Sequence, residues 1–288
     1  MSILFSGDFH ANHYNELHSI SRKTLLQKYY DKYSLIKYHI ILGDGNFGFN
    51  VNDKINYSAL AMRPFPILCV IGNTDPILKM RNLPEVDIGI GEKVYLMREK
   101  PFVAYLKRGR VYTIDGIKCL VLGGALSDRD KLKPNIAWWE SEYWSEREKE
   151  DLFRLLETDN KFDCVLSHTG PHHKNIKVIE RYKKLYVLFS DYDKKVYNKF
   201  AYLDKIALQD KVALLNDEIH NKIDFRQWLC GHLHKDDNYY DEESDRGYQY
   251  LYNDTIMINK EDDKIKTIME RWYLYEYYEQ MKKEGYYG

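Results

Sequence analysis

Two aspartates and an asparagine stand directly after glycines at the ends of short apolar runs, as Gly7-Asp8, Gly43-Asp44 and Gly72-Asn73. Two further runs close on histidines, as Ser167-His168 and Gly231-His232-Leu233-His234. Carboxylate, amide and imidazole groups together suit a borderline divalent cation such as manganese, iron or zinc. Asp8 and His10 lie two apart, so an extended backbone would turn both side chains to one side. The same alternation would place the His232 and His234 rings side by side in a bidentate grip. Each feature alone is a turn aspartate or a structural histidine; its recurrence at run after run argues for a site.

The elements that must position these groups are buried strands whose carboxyl ends face one crevice, where ligands of open parallel sheets collect. The runs at residues 2–7, 39–42, 66–71, 163–166 and 225–229 have that character. Helical spacing over 12–30 and a short helix over 57–62, halted before Pro64, give the βαβ order of a parallel sheet. Shorter strands over 94–96, 102–106, 111–114 and 119–122, with an Asp115-Gly116 hairpin turn, imply a second, partly antiparallel sheet stacked on the first. The fold class is therefore α/β, two stacked mixed β-sheets flanked by helices. Ser145 and Glu148 form a capping box opening a helix that faces Leu152, Leu155 and Leu156 inward. Residues 203–223 are expected to be one helix, with Leu208, Val212, Leu215, Ile219 and Ile223 along its apolar face. Residues 235–246 are expected to be an acidic turn, and 248–252 and 255–258 to pair as strands. A single domain over 1–265 results, with 173–202 a candidate insertion or lid and 266–288 a tyrosine-rich helical tail.

Composition narrows the function. A net charge of -1 over 288 residues provides no field to hold a polyanion, so nucleic acid as a substrate is not indicated by charge. The amino terminus has neither the basic flank nor the apolar length of a secretory signal, and no stretch is long enough to span a membrane. Cys69, Cys119, Cys164 and Cys230 sit inside apolar runs without CxxC spacing, which reads as reduced core cysteines and a cytoplasmic location. Gly123-Gly124 would let backbone approach a ligand, with Arg129 placed to clamp a phosphate oxygen or to stand in solvent. Lys107, Arg108 and Arg110 are read as a solvated hairpin tip, and Trp138, Trp139 and Trp144 as anchors of a surface loop.

In order and spacing, Gly7-Asp8-Phe9-His10, Gly43-Asp44, Gly72-Asn73-Thr74-Asp75, Ser167-His168 and Gly231-His232-Leu233-His234 resemble the calcineurin-like metallophosphoesterase family over residues 7–234. The resemblance implies a four-layer α/β/β/α sandwich. It also implies two divalent metal ions, Mn2+, Fe2+ or Zn2+: one held by Asp8, His10, Asp44 and His234, the other by Asp44, Asn73, His168 and His232. Asp44 would bridge them. Two cations about 3.5–4 Å apart lower the pKa of a shared water and clamp attacking and leaving oxygens, so the implied reaction is in-line hydrolysis of a phosphate ester. Asp44, Asn73 and His168 then take catalytic places, and Asn73 and Arg129 meet the substrate.

The chain departs from the family at Thr74, where many members carry a histidine that protonates or stabilises the leaving group. Threonine is no acid near neutral pH. His13, His172 or His173 would have to substitute, and Asp75 becomes structural. Members without that histidine resemble phosphodiesterases, which favours a phosphodiesterase. The alternatives are a phosphomonoesterase or protein phosphatase with a relocated acid, a nuclease, and a non-catalytic scaffold, which should have lost ligands.

Overall fold

The computed structural model describes residues 2–8, 36–47, 65–100, 102–127, 139–189, 203–205, 208–252, 255–261 and 264–269. The apolar runs become strands whose successive residues face two different cores. In the first sheet β1 (Ser2–Ser6), β2 (Ile36–Ile41), β3 (Ile67–Cys69) and β6 (Val103–Tyr105) pair in parallel. Antiparallel strands complete eight: β13 (Thr255–Glu261) and β14 (Lys264–Met269) beyond β1, β5 (Val94–Arg98) and β4 (Glu85–Val86) beyond β6. The second sheet has six strands on the same plan. Its parallel centre is β8 (Ile117–Val121), β9 (Lys161–Leu166), β10 (Asp224–Cys230) and β12 (Arg246–Tyr250), edged by β7 (Arg110–Ile114) and β11 (Asp237–Asp241).

Alternation stacks the sheets. Ile3, Phe5, Ile40 and Leu68 meet Cys119, Val121, Cys164, Leu166 and Leu229 in one buried cluster between them. The intervening residues face outward: Ile41, Ile67 and Cys69 against Ile77 and Met80 of α1 (Ile77–Met80), and Leu120, Val165, Trp228 and Cys230 against a helical layer. That layer is α2 (Glu146–Thr158), α3 (His172–Phe189) and α4 (Lys211–His220). Each large apolar side chain so covered contributes about 1.5–3 kcal/mol. The chain is thus α/β with two mixed sheets flanked by helices. The helices expected over 12–30 and 57–62 and the tail from residue 270 lie outside the described residues. All four cysteines are free and buried, and the Ser145–Glu148 capping box opens α2 as expected.

Several expectations are corrected. The short strands of 94–122 do not form one sheet: β5 and β6 extend the first, because β3 recruits β6 in parallel, while the Asp115-Gly116 turn folds β7 back on β8 in the second. The 203–223 helix is not continuous. Asp210 takes extended backbone geometry and caps the N–H groups of Val212 and Ala213, so α4 starts at Lys211 and Leu208 is 74% exposed. The candidate lid at 173–202 begins as α3, which anchors Val178 and Ile179 in the core. Within the expected acidic turn, Asp237–Asp241 is β11. β12 and β13 do not pair with each other; they belong to different sheets, the chain crossing over after Leu251 donates its N–H to Cys230. β14 carries the first sheet past residue 265 to Met269.

Arg108 is no solvated tip. Its side chain is 4% exposed, lies over the Trp144 ring, donates to the carbonyls of Ser141, Glu142 and Tyr143, and pairs with Glu148 at 2.8 Å. One guanidinium therefore fastens the 140–145 segment to the start of α2. Trp144 and Trp139 anchor that segment too, through Nε1 bonds to the carbonyls of Gly123 and Thr74.

Among the described residues no helix is long and apolar enough to cross a membrane.

Candidate metal centre

The carboxyl ends of the parallel strands of both sheets meet at one edge, and hydrogen bonds cross between them there. The His168 ring, just beyond β9, donates from Nδ1 to the carbonyl of Leu42 beyond β2 at 2.8 Å, and Gly124, beyond β8, donates its N–H to the carbonyl of Ile71 beyond β3 at 2.9 Å. The glycines before the ligand residues are required by space. A Cβ on Gly43, whose φ is +99°, would lie 2.1 Å from His168 Nδ1, and one on Gly72 would lie 2.1 Å from Asp44 Oδ1.

His168 Nε2 faces Asn73 Oδ1 at 2.8 Å and Asp44 Oδ1 at 3.4 Å, while its Nδ1 is 3.5 Å from Asp8 Oδ1. The asparagine amide is not free to turn, because its Nδ2 donates to Ser127 Oγ at 2.9 Å. With Nδ1–H committed to Leu42, a neutral His168 would aim its Nε2 lone pair at a carbonyl lone pair. A proton or a metal cation could stand there. In the bare protein a proton serves: burial disfavours a charged imidazole, but the Asp44 and Asp8 carboxylates outweigh it and hold His168 up to about 10. Asp8 is pushed up to about 7, first by burial, with the His168 charge pulling down and Asp44 pushing further up. Both Asp8 carboxylate oxygens are buried without a well-formed hydrogen bond, the backbone N–H groups of His232 and of Asp8 itself lowering its pKa only slightly against burial. Ligand atoms of Asp8, Asp44 and His168 all lie within 4.8 Å of one another.

The remaining histidines complete the ring differently from expectation. β10 ends at Cys230, and His232 and His234 both adopt positive φ, +65° and +51°, around a tight turn in which Leu233 donates its N–H to Gly231. Strand alternation therefore does not align the two rings; the turn does, with Leu233 drawn into the outer core. The His232 ring lies 5.0 Å from that of His168. The His234 ring, its side chain 44% exposed, stacks on Tyr252 at 4.6 Å and places Nε2 3.7 Å from Asp8 Oδ2. Asp8, Asp44, Asn73, His168, His232 and His234 are thus brought together, and His10, His13 and Arg129 lie outside the described residues.

Two carboxylates, an amide oxygen and imidazoles with one ring held by a carbonyl fit borderline divalent cations, and the buried, weakly met Asp8 oxygens are consistent with such a ligand. Asp75 is structural: its oxygens accept from Gly72 N–H, Asn46 N–H and Tyr105 OH. Burial and the Asp44 charge nevertheless push it up to about 6. His172 and His173 do not replace an acid here. Both rings turn to Asp217 of α4, at 3.8 and 2.6 Å, in the outer helical layer.

The supporting groups were not visible from spacing. Ser127 orients Asn73, Trp228 donates to Ser167 Oγ at 2.7 Å, and Asn216 and Asn175 donate to the carbonyl and hydroxyl of Thr169. Only Asp210, polar at the head of an apolar-periodic helix, carried a readable signal, that of an N-cap.

No protein-family model matches the sequence, and no curated protein does either. Among solved structures 42 chains match, and one of them, a crystal structure, aligns with a TM-score of 0.50 at 9% identity over 92% of this chain and 97% of that one. At that identity the likeness speaks for the fold alone.

Proposed function

We propose that this chain is a dinuclear metal-dependent phosphoesterase, a phosphodiesterase in preference, on the four-layer α/β/β/α sandwich that its motifs resemble. The observation that supports it is the convergence of His168 Nε2 on Asn73 Oδ1 at 2.8 Å and on Asp44 Oδ1 at 3.4 Å, beside a buried Asp8 carboxylate without a well-formed hydrogen bond. The ligands recur in the order and spacing of the calcineurin-like metallophosphoesterases, and none of those described is missing.

When bound, two divalent ions of the manganese, iron or zinc kind would acidify a shared water and polarise phosphoryl oxygens. Asp8 and His234 would hold one ion, Asn73, His168 and His232 the other, with Asp44 shared. The chain supplies orientation. Leu42 sets the His168 tautomer and Ser127 sets the Asn73 amide, so the donor atoms converge without rearrangement. Thr74 stands where a proton donor would be wanted and cannot give up a proton near neutral pH. The departing oxygen must then leave as an anion, which favours diesters of acidic alcohols over alkyl monoesters.

Metal-stripped protein titrated separately with manganese, iron, zinc and magnesium should regain hydrolysis of bis(4-nitrophenyl) phosphate over 4-nitrophenyl phosphate. Asp44→Asn should lose turnover and metal together. Preference for the monoester would replace the diesterase by a phosphatase, and metal binding without turnover of either ester would argue for a scaffold.

A further inference from the structure

We propose that Tyr252 is a positioning residue that aims the His234 ring at a cation shared with Asp8. The inference rests on the metal-centre reading and deepens it.

The candidate ligands are held in different ways. His168 is buried with its Nδ1 on the Leu42 carbonyl, Asn73 gives its Nδ2 to Ser127, and Asp44 Oδ1 accepts the Thr74 N–H at 3.0 Å. His234 lies at the rim, its side chain 44% exposed. The plane of its ring is matched by Tyr252, which lies parallel to it within 12° at a centroid distance of 4.6 Å. A face-on stack leaves the edge of the imidazole open, and that edge carries Nε2 to within 3.7 Å of Asp8 Oδ2.

Tyr252 is itself fixed from both sides of that pair. It follows β12, where the chain crosses from the second sheet to the first, and the preceding Leu251 donates its N–H to the Cys230 carbonyl at 2.8 Å. The Tyr252 N–H donates to Asp236 Oδ1 at 2.7 Å, two residues past His234, and the Asp236 carbonyl accepts from Tyr182 OH of α3. On the other side the crossing backbone presses on the residue before Asp8. A Cβ on Gly7 would lie 1.7 Å from the Leu251 carbonyl oxygen and 3.0 Å from the Tyr252 nitrogen. One short segment therefore touches the turn that carries Asp8 and stacks on the ring that faces Asp8, so it sets the separation of the two.

The stack acts on a cation in two ways. It holds the imidazole before the ion arrives, so less side-chain freedom is lost on binding. An imidazole that gives its lone pair to a cation also takes on part of that charge, and the face of a tyrosine ring attracts positive charge within about 6 Å of its centre. Both effects need the aromatic face and not the hydroxyl.

The test is calorimetric titration of the metal-stripped full chain with manganese, beside the melting temperature of each metal-free variant, which shows that it folds. His234→Ala identifies the binding event to which that ring contributes. Tyr252→Leu should weaken the same event about 10–100-fold, the loss typical of a supporting residue, and leave any other within about threefold. Tyr252→Phe, which keeps the face, should stay within about threefold of the wild type. Tyr252→Met, flexible enough to fill the same space, should lose as much as Tyr252→Leu and decides the case if the leucine variant does not fold. Added to His234→Ala, Tyr252→Leu should cost less than about threefold more, because its effect runs through the ring already removed. Unchanged affinity in the folded aliphatic variant overturns the proposal and leaves the metal centre standing. So does a loss that adds in full to that of His234→Ala, which would make Tyr252 a support of the crossing segment and not of the ring. A wild-type chain that binds no manganese, or whose binding His234→Ala leaves unchanged, overturns the proposal together with the ligand assignment beneath it.

Discussion

Gly72→Ala tests whether the glycine before Asn73 is a condition of the site or only of the turn. Its Cβ would lie 2.1 Å from Asp44 Oδ1 and 2.2 Å from the Asp44 backbone nitrogen, where ordinary contacts begin at 3.4 Å. Rotating the Asp44 side chain relieves the first clash and not the second, so the ends of β2 and β3 must part by more than an ångström. Overpacking of this kind costs about 1–3 kcal/mol, and at about 2–4 °C per kcal/mol the metal-free protein should melt about 2–12 °C lower. Displacing Asp44 against Asn73 by that distance should cost about a hundredfold in turnover, and the metal affinity should fall by at least the 10–100-fold typical of a disturbed supporting residue. Gly89→Ala is the control. Its φ is +75°, yet its Cβ meets nothing within 4 Å, so it should cost about 1–2 kcal/mol of backbone strain and leave metal binding unchanged. Calorimetric metal titration beside thermal unfolding of both variants reads the two effects separately. Gly72→Ala that binds metal as tightly as the wild type would refute the close-approach argument.

Three further outcomes are expected. Because His168 is held up to about 10 and Asp8 to about 7 in the bare protein, metal must displace protons, and its Kd should tighten with rising pH by up to about tenfold per unit for each proton displaced; a Kd flat from pH 6 to 9 contradicts this. Burial pushes the Glu148 carboxyl up, but Arg108 more than offsets it and brings it down to about 2, so the pair stabilises the fold fully above pH 4.5 and loses that contribution as pH falls toward 2. Glu148→Gln should cost about 3 kcal/mol at neutral pH and flatten the melting temperature between pH 5 and 2, unless the three carbonyls alone satisfy Arg108. Ser127→Ala should free the Asn73 amide to flip and weaken metal binding about 10–100-fold in calorimetric titration; unchanged affinity would mean another group fixes the amide.

The layout of the site was legible because strand ends announce themselves: an apolar run, a glycine and a polar residue need no tertiary knowledge to be seen. What those glycines do was not legible, since the atoms they make room for lie far along the chain, His168 for Gly43 and Asp44 for Gly72. The division of 94–122 between two sheets was hidden for a related reason. Period-two alternation is the same in either sheet, and only the pairing of Ile67 with Val103 decides it. Arg108 looked solvated because its partner Glu148 is on another element, and Leu208 looked buried because its spacing to Val212 fits a helix that the Asp210 cap interrupts. The histidine pair was found for an incomplete reason: the ligand types were readable, but the left-handed backbone that aims them was not, because histidine adopts extended and left-handed backbone alike and no glycine marks either position.

Two buried carboxylates show why the centre reads as a binding site and not as polar core. Asp75 and Asp8 both lie near strand ends, at 0% and 1% exposure, and burial raises both. Asp75 is met by donors on both oxygens and joins Gly72, Asn46 and Tyr105, so its burial is compensated inside the chain. Asp8 forms no such well-directed bonds: only the backbone N–H groups of His232 and of Asp8 itself bear on it, and its other neighbours are a second carboxylate and imidazoles at 3.5 Å or beyond. A fold that needed Asp8 only to stand still could have satisfied it as it satisfies Asp75, or replaced it by an apolar residue at lower cost. Oxygens so weakly met, within reach of the His168–Asn73–Asp44 cluster, suit completion by a ligand from outside the polypeptide. A divalent cation would complete Asp8 and take the place of the proton that His168 otherwise holds against Asn73.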